Sequence, residues 1–188
     1  AQYARDLFKV EYEELPAVTD MRLALADDAP LVHPDLDNYE RGGHEIVPHT
    51  NINTLYRYER GDVDAAFAAA DHVFEAEYSA HALSHVALAV HVAVAQYDAA
   101  SGDYTLWVTT DRPYFLRDDL AGGLGVDGSK VRLKVAQVGG SFGAKGVPIA
   151  EAIAAVLARK TNGRPVKMEL TREECLIASQ LRVPAIMK

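Results

Sequence analysis

Cysteine is almost missing from this sequence: Cys175 is the only one in 188 residues. An intramolecular disulfide is therefore excluded, and so is a zinc or iron–sulfur centre held by four thiolates of this chain. Long hydrophobic runs are also missing, since no stretch approaches the roughly 20 apolar residues of a membrane-spanning helix. Nor is there a basic block. Lysines and arginines number 19 against 27 aspartates and glutamates, a formal net charge of −8, which argues against nucleic acid or an anionic membrane surface as partner. No internal repeat or signal peptide is evident, and a cytoplasmic location is the expectation. What is present is the make-up of a folded globular protein, with 49% apolar and 24% charged residues; the length suits one ordinary domain or parts of two.

The most informative stretch runs from Val135 to Glu151, where VGGSFGAKG interrupts an apolar pattern. Before it, Val131, Leu133 and Val135 alternate with Arg132, Lys134 and Ala136, the period of a strand with one buried face. After it, Pro148 suits the first turn of a helix. Ile149, Ile153, Val156 and Leu157 then fall on one helical face, and Asn162-Gly163 closes it. The glycines therefore sit at a strand-to-helix crossover, where free N–H groups suit an anionic ligand. A Walker A loop is excluded, because the sixth position from Gly139 is Ala144 and Gly146 follows Lys145. A dinucleotide fingerprint fails on spacing and on the bulk of Phe142. A plain tight turn would also need glycine; Phe142 is the discriminating residue, an aromatic ring set between glycines and presented rather than packed.

VGGSFGAK, the alanine-rich helix after it, and then Gly163-Arg-Pro-Val-Lys-Met-Glu-Leu-Thr-Arg-Glu-Glu174 together resemble the molybdenum-cofactor-binding subunit of the xanthine dehydrogenase, aldehyde oxidase and carbon monoxide dehydrogenase family. Val10–Val18 and Ala24–His33 resemble the end of that family's small amino-terminal domain. The resemblance implies an α+β fold: the end of a small α/β hammerhead-like domain (1–45), a linker (46–72), and the first part of a molybdopterin-binding domain with a mixed sheet and helices (73–188). It also implies a fragment of a subunit several times as long, in which iron–sulfur clusters and FAD lie in partner chains or domains. The cofactor implied is a molybdenum–molybdopterin, the cytosine dinucleotide form included. The implied chemistry is hydroxylation of an aldehyde, N-heterocycle or similar small substrate with water as oxygen donor. The family's catalytic glutamate lies far downstream, and no residue up to Lys188 aligns with it. No catalytic or metal-ligating residue is therefore assigned, and the isolated chain is expected to be inactive and to self-associate through apolar surface that the rest of its subunit would cover.

In chain order, the pattern predicts the end of a helix over Tyr3–Phe8, a strand over Lys9–Glu13 and a short helix over Asp20–Ala26 capped by Thr19 or Asp20. Pro30–Asn53 reads as a loop or linker, and Asp62–Ala70 as a helix. Strands follow at Phe74–Tyr78 and over Val86–Val94, the cleanest period-two stretch. A hairpin turn at Asp98–Asp103 leads into a strand over Tyr104–Thr109, and Arg112–Ala121 reads as a helix ended by Gly122-Gly123.

His81, His85 and His91 invite a metal reading. On one straight strand, however, His85 and His91 stand about 20 Å apart, so a satisfied histidine at a strand end is preferred. The segment resembles the family's H-x-x-L-E-x-H, with Ala89 in place of glutamate. Asp111 reads as an N-cap. The resemblance adds a second reading, because the family has glutamine there beside the metal, whereas an ionised Asp111 only accepts hydrogen bonds. Gly139, Gly140 and Gly143 align with the cofactor-approaching glycines, and Phe142 with the ring over the substrate. Gly146 stands where purine-oxidising members carry a substrate-binding glutamate, which argues against xanthine as substrate. Lys145 reads equally as a solvated loop charge or as a cofactor contact. Two alternatives stay open: a non-catalytic paralogue or scaffold, and an unrelated α/β anion-binding domain.

Overall fold

The computed structural model describes residues 2–38 and 47–188. The chain divides into two compact units, Ala1–Val73 and Phe74–Lys188. Among the described residues the first holds three short α-helices, α1 (Gln2–Arg5), α2 (Met21–Ala24) and α3 (Val63–Ala69), and a 3-10 turn at Leu36–Asn38. Asp20 caps α2 by accepting from the Arg22 and Leu23 N–H groups, and Asp62 caps α3 by accepting from that of Ala65; a cap oxygen satisfies amides that the first turn leaves free. The expected strand at Lys9–Glu13 does not form. Those residues are irregular and exposed, and among the described residues of the unit none pairs with them to satisfy the N–H and C=O groups of a strand. The Asn51 side chain gathers the loop instead, donating to the carbonyls of Ala24 and Pro30 and accepting from the Val32 N–H. Residues 39–46, with the expected domain end near residue 45 and part of the Pro30–Asn53 loop, lie outside the described residues.

The second unit contains β1 (Tyr78–Ala80), β2 (Val92–Asp98), β3 (Asp103–Val108), β4 (Val131–Val135), β5 (Val166–Glu169) and β6 (Ala185–Met187), with α4 (Pro113–Leu124), α5 (Ala150–Ala158) and α6 (Arg172–Ala178). Its main sheet is mixed, in the order β4-β3-β2-β5. β2 pairs antiparallel with β3 and β5, while β3 and β4 are parallel, as a helical crossover requires; β1 and β6 form a separate antiparallel pair. The hairpin turn falls where the Ser-Gly signal placed it, with Asp98 opposite Asp103 and Gly102 at φ 76°.

Period-two alternation sets which side of the sheet is buried. Ala93, Ala95, Tyr104, Leu106, Val108 and Val131 face the core, together with Leu116 and Leu120 of α4 and Ala150, Ala154, Ala155 and Ala158 of α5. Burial of α5 departs from the expected face. Ile153, Val156 and Leu157 are exposed, and the alanine stripe with spacing i, i+4, i+8 is the side that packs. Small side chains on α5 and at Ala93 and Ala95 let the helix lie close on the sheet, where branched residues would hold it off. Pro148 precedes the helix cap Ile149 and does not enter the first turn. Two further boundaries shift. Gly122 and Gly123 lie inside α4, and the left-handed residue that ends it is Gly125, at φ 66°. The expected strand at Phe74–Tyr78 is only Tyr78–Ala80.

Candidate functional site

The largest departure from the periodic pattern lies over Val86–His91. The strand begins only at Val92, Val86 adopts φ 45°, and the segment bends. Its backbone acceptors are met from outside a ladder: the Arg172 guanidinium donates to the carbonyls of Ala87 (2.8 Å) and Leu88 (2.7 Å). The Ala89 N–H donates to the Gly139 carbonyl at 3.0 Å, bringing this segment against the glycine loop. A methyl group at Gly139 would collide with the Ala89 side chain, and one at Gly140 would come within 3.5 Å of the Ala87 Cβ. Gly139 needs glycine for space as well as for φ, and Gly140 for its φ.

The loop itself is left-handed at four of five consecutive residues: Gly139 (65°), Gly140 (92°), Phe142 (57°) and Gly143 (98°). For a phenylalanine this costs roughly 1–2 kcal/mol, and such strain persists only where the surroundings hold it. Phe142 is 76% exposed, a ring displayed on a strained residue. The N–H groups of Gly139, Gly140, Ser141, Phe142 and Gly143 find no acceptor among the described residues. Five consecutive free amides of this kind form a donor set for oxygen or anion ligands.

Beneath the loop lies a buried polar layer. Lys145, 2% exposed, donates its ammonium to the Val138 carbonyl (2.6 Å) and its N–H to Ser141 Oγ (3.1 Å). Its carbonyl accepts from Thr110 Oγ1 (2.8 Å), and that hydroxyl also accepts from the Arg112 N–H (3.0 Å). Burial holds the Lys145 pKa below the usual lysine value and raises that of the buried Glu151 carboxyl, which accepts from the Ile149 N–H at 3.2 Å. The solvated reading of Lys145 is overturned. So is the N-cap reading of Asp111: Asp111 is exposed, the cap residue of α4 is Arg112 with no side-chain cap bond, and Thr110 receives the amide.

His91 is buried, its N–H donating to Cys175 Sγ (3.4 Å). Burial, with a smaller effect from the Lys145 charge, lowers its pKa. His85 is partly buried, with Nδ1 unpartnered, and its Nε2 lies 3.7 Å from where a Gly143 Cβ would stand. The bend at Val86–His91 removes the straight-strand separation of these histidines, yet no group of three His, Cys, Asp or Glu able to hold a metal occurs among the described residues. Gly146 packs against Arg112, whose Cδ lies 3.3 Å from where a Cβ at position 146 would stand and whose guanidinium has no partner among the described residues. Sequence reasoning missed Thr110, Arg172 and Glu151. Only Arg172 had a local signal, the Thr171–Glu174 capping box that opens α6.

Residues 43–188 match the family described as the molybdopterin cofactor-binding domain. The chain belongs to that family. Its relatives include the nicotinate dehydrogenase large molybdopterin subunit of Eubacterium barkeri, 38% identical over 99% of this chain and 40% of the relative. The carbon monoxide dehydrogenase large chain of Afipia carboxidovorans is 32% identical over 92% of this chain and 22% of its own length. Among solved structures, reconstituted CO dehydrogenase from Oligotropha carboxidovorans superposes with a TM-score of 0.80 at 30% identity, over 96% of this chain and 22% of the other. The chain thus spans well under half the length of these relatives. As a molybdopterin cofactor-binding domain it is not an unrelated anion-binding fold, and the mixed α+β architecture expected from the resemblance is the one observed.

Proposed function

We propose that this chain forms one wall of the molybdenum–pterin site in the large subunit of a molybdenum hydroxylase. The observation that carries this reading is the run of five free backbone amides at Gly139–Gly143 beside an exposed Phe142. The residues fit the group. Gly139, Gly140 and Gly143 offer N–H donors without side chains, which suits oxo and phosphate oxygens of a molybdopterin, the cytosine dinucleotide form included. Phe142 supplies an apolar face for substrate, and Asp111 stands at the neighbouring turn as an acceptor. When bound, the cofactor supplies the two-electron oxidation; the protein supplies placement and electrostatics. No residue of this chain serves as the catalytic base, so the rest of the subunit completes the site. Iron–sulfur and FAD partner chains or domains take the electrons, in a cytoplasmic complex.

The substrate class is an aldehyde, N-heterocycle or similar small molecule oxidised with water as oxygen donor. Within it, the Arg112 guanidinium, packed on Gly146 and without a partner among the described residues, favours an anionic N-heterocycle. Nicotinate, named for the 38% identical relative, is the first substrate to assay. The test uses the full-length subunit purified with its partner chains. Molybdenum and pterin are expected at about one each per subunit, the single-site stoichiometry of such cofactor enzymes. Phe142→Ala should lower kcat/KM at least about tenfold while the melting temperature stays near that of the parent. A buried core phenylalanine would instead lose roughly 3–5 kcal/mol. A large melting drop with normal specific activity overturns the role of Phe142, and a full-length subunit free of molybdenum makes the protein a scaffold.

A further inference from the structure

Lys145 uses all its polar groups in three bonds, two within its own loop and one to the Thr109–Arg112 turn. The ammonium returns to the Val138 carbonyl, the N–H to Ser141 Oγ, and the carbonyl takes the Thr110 hydroxyl. The first of these bonds spans the loop from one end to the other, since Val138 precedes Gly139 and Lys145 follows Ala144. The third ties the loop to the Thr109–Arg112 turn, whose Arg112 amide the same hydroxyl accepts. Thr110 is 1% exposed and Lys145 2%; the bonds to the Thr110 hydroxyl and Ser141 Oγ are buried, and that to the Val138 carbonyl is partly so.

A buried ammonium is a costly way to fill space in a core, and a methionine would fill it without desolvating a charge. The fold as such has no need of a cation there. The buried Glu151 carboxylate does not meet it, as its bond goes to the Ile149 amide. The one structural demand above Lys145 that a charge-assisted bond meets is the shape of the loop, with Phe142 left-handed at φ 57° and its ring outside. A strained conformation of this kind reverts unless its ends are pinned.

We infer that Lys145 is a positioning residue: its ammonium, strapped to the Val138 carbonyl, holds the glycine loop in the shape that presents Phe142 to the site. Thr110 locks the strap to the neighbouring turn, so the two segments that line the site move together or not at all. This inference rests on the reading of Phe142 given above. Lys145 acts through Phe142 and touches no reacting group.

The test is a double-mutant cycle in the full-length subunit with its partner chains, reading kcat/KM on nicotinate, molybdenum content, and the paramagnetic resonance spectrum of the dithionite-reduced molybdenum. Lys145→Met should keep molybdenum within about twofold of the parent, perturb the spectrum, and lower kcat/KM about tenfold to a hundredfold, the scale of an ångström-level misplacement. Combined with Phe142→Ala, the same substitution should add less than about twofold, because the ring it positions is gone. Thr110→Val should reproduce the effect, and Thr110→Ser should restore the parent values. If Lys145→Met does not fold, Thr110→Val takes its place in the cycle with the same expectations.

An equal loss in both backgrounds, or a parent-like spectrum and rate in Lys145→Met, overturns the inference and leaves the cofactor-site reading standing. A Phe142→Ala protein that is parent-like in rate and spectrum overturns that reading and the inference together.

Discussion

The two units of this chain have similar apolar side chains and put them to opposite uses. In Ala1–Val73 only Leu36 is buried among the described residues, while Tyr3, Phe8, Tyr12, Leu15, Tyr56, Tyr58 and Phe67 are exposed. In Phe74–Lys188 the same residue types form a core around Tyr104, Leu106, Val108 and Leu116. The difference is the sheet. Four strands in register give α4 and α5 a surface to bury against, and each helix then covers apolar area worth about 25 cal/mol per Å². Helices of four to seven residues with no sheet beneath them have nothing to cover. Apolar composition does not make a core; it needs elements long enough to be layered.

That contrast is tested most strongly by truncating one leucine in each unit. Leu106→Ala should destabilise by about 2–5 kcal/mol, whereas Leu15→Ala should stay within about 0.5 kcal/mol; denaturant melts of both variants compare them. Equal losses would mean that the first unit has a core of its own.

Glycines sharpen the comparison at the next level. Gly61 and Gly139 are both left-handed, but Gly61 stands in open space and Gly139 faces Ala89. Gly61→Ala should lose only the backbone preference, about 1 kcal/mol. Gly139→Ala should lose about 1–3 kcal/mol more through overpacking, partly recovered by adding Ala89→Gly. No recovery in the double variant would mean that Gly139 is there for its φ alone.

The caps are matched chemically and differ in what they hold. Thr171→Ala removes the capping box of α6, whose Cys175 is buried, and should cost about 1 kcal/mol of the second unit's stability. Asp62→Ala removes the cap of α3, which buries nothing, and should fray that helix in amide exchange without moving the main melt.

The smallest effect expected is one of pH. The folded-state pKa of His91 is lowered from 6.5, chiefly by burial. The fold therefore prefers the neutral ring, and this contribution, present above pH 6.5, is lost as pH falls through the lower folded value. Glu151 has the opposite sign, its raised pKa favouring the fold as pH falls. His91→Gln should flatten the decline in stability between about pH 7 and about pH 5 and leave the Glu151 contribution in place. An unchanged slope would show that His91 does not titrate across that window.

Much of the second unit was legible because its signals are local. Strand β4, the Ser101-Gly102 hairpin and, in the first unit, the Asp20 cap each depend on a few neighbouring residues, and each formed where its pattern indicated. The misreadings came where a residue's partner is far away in the chain. Val86–His91 alternates as a strand does, but Arg172 and Gly139 took its polar groups and it bent. On α5 both an aliphatic and an alanine stripe were present, and period alone could not say which one the sheet would accept. At the candidate site, Gly139, Gly140, Phe142 and Gly143 were legible from the loop itself. Thr110 was not, because its role exists only once Lys145 is folded back.

The sequence by itself determined where the chain must turn and where it alternates, and therefore the loop with its glycines and displayed phenylalanine. Those features follow from φ preferences and side-chain period, which act over a few residues. Only the tertiary structure decided that Lys145 is buried and not solvated, that Thr110 and not Asp111 receives the amide at the start of α4, and that the alanines and not Ile153, Val156 and Leu157 pack α5 on the sheet. Each of these is a competition among partners distant in the chain for one buried position, and its outcome depends on which groups the fold brings within hydrogen-bond or van der Waals reach.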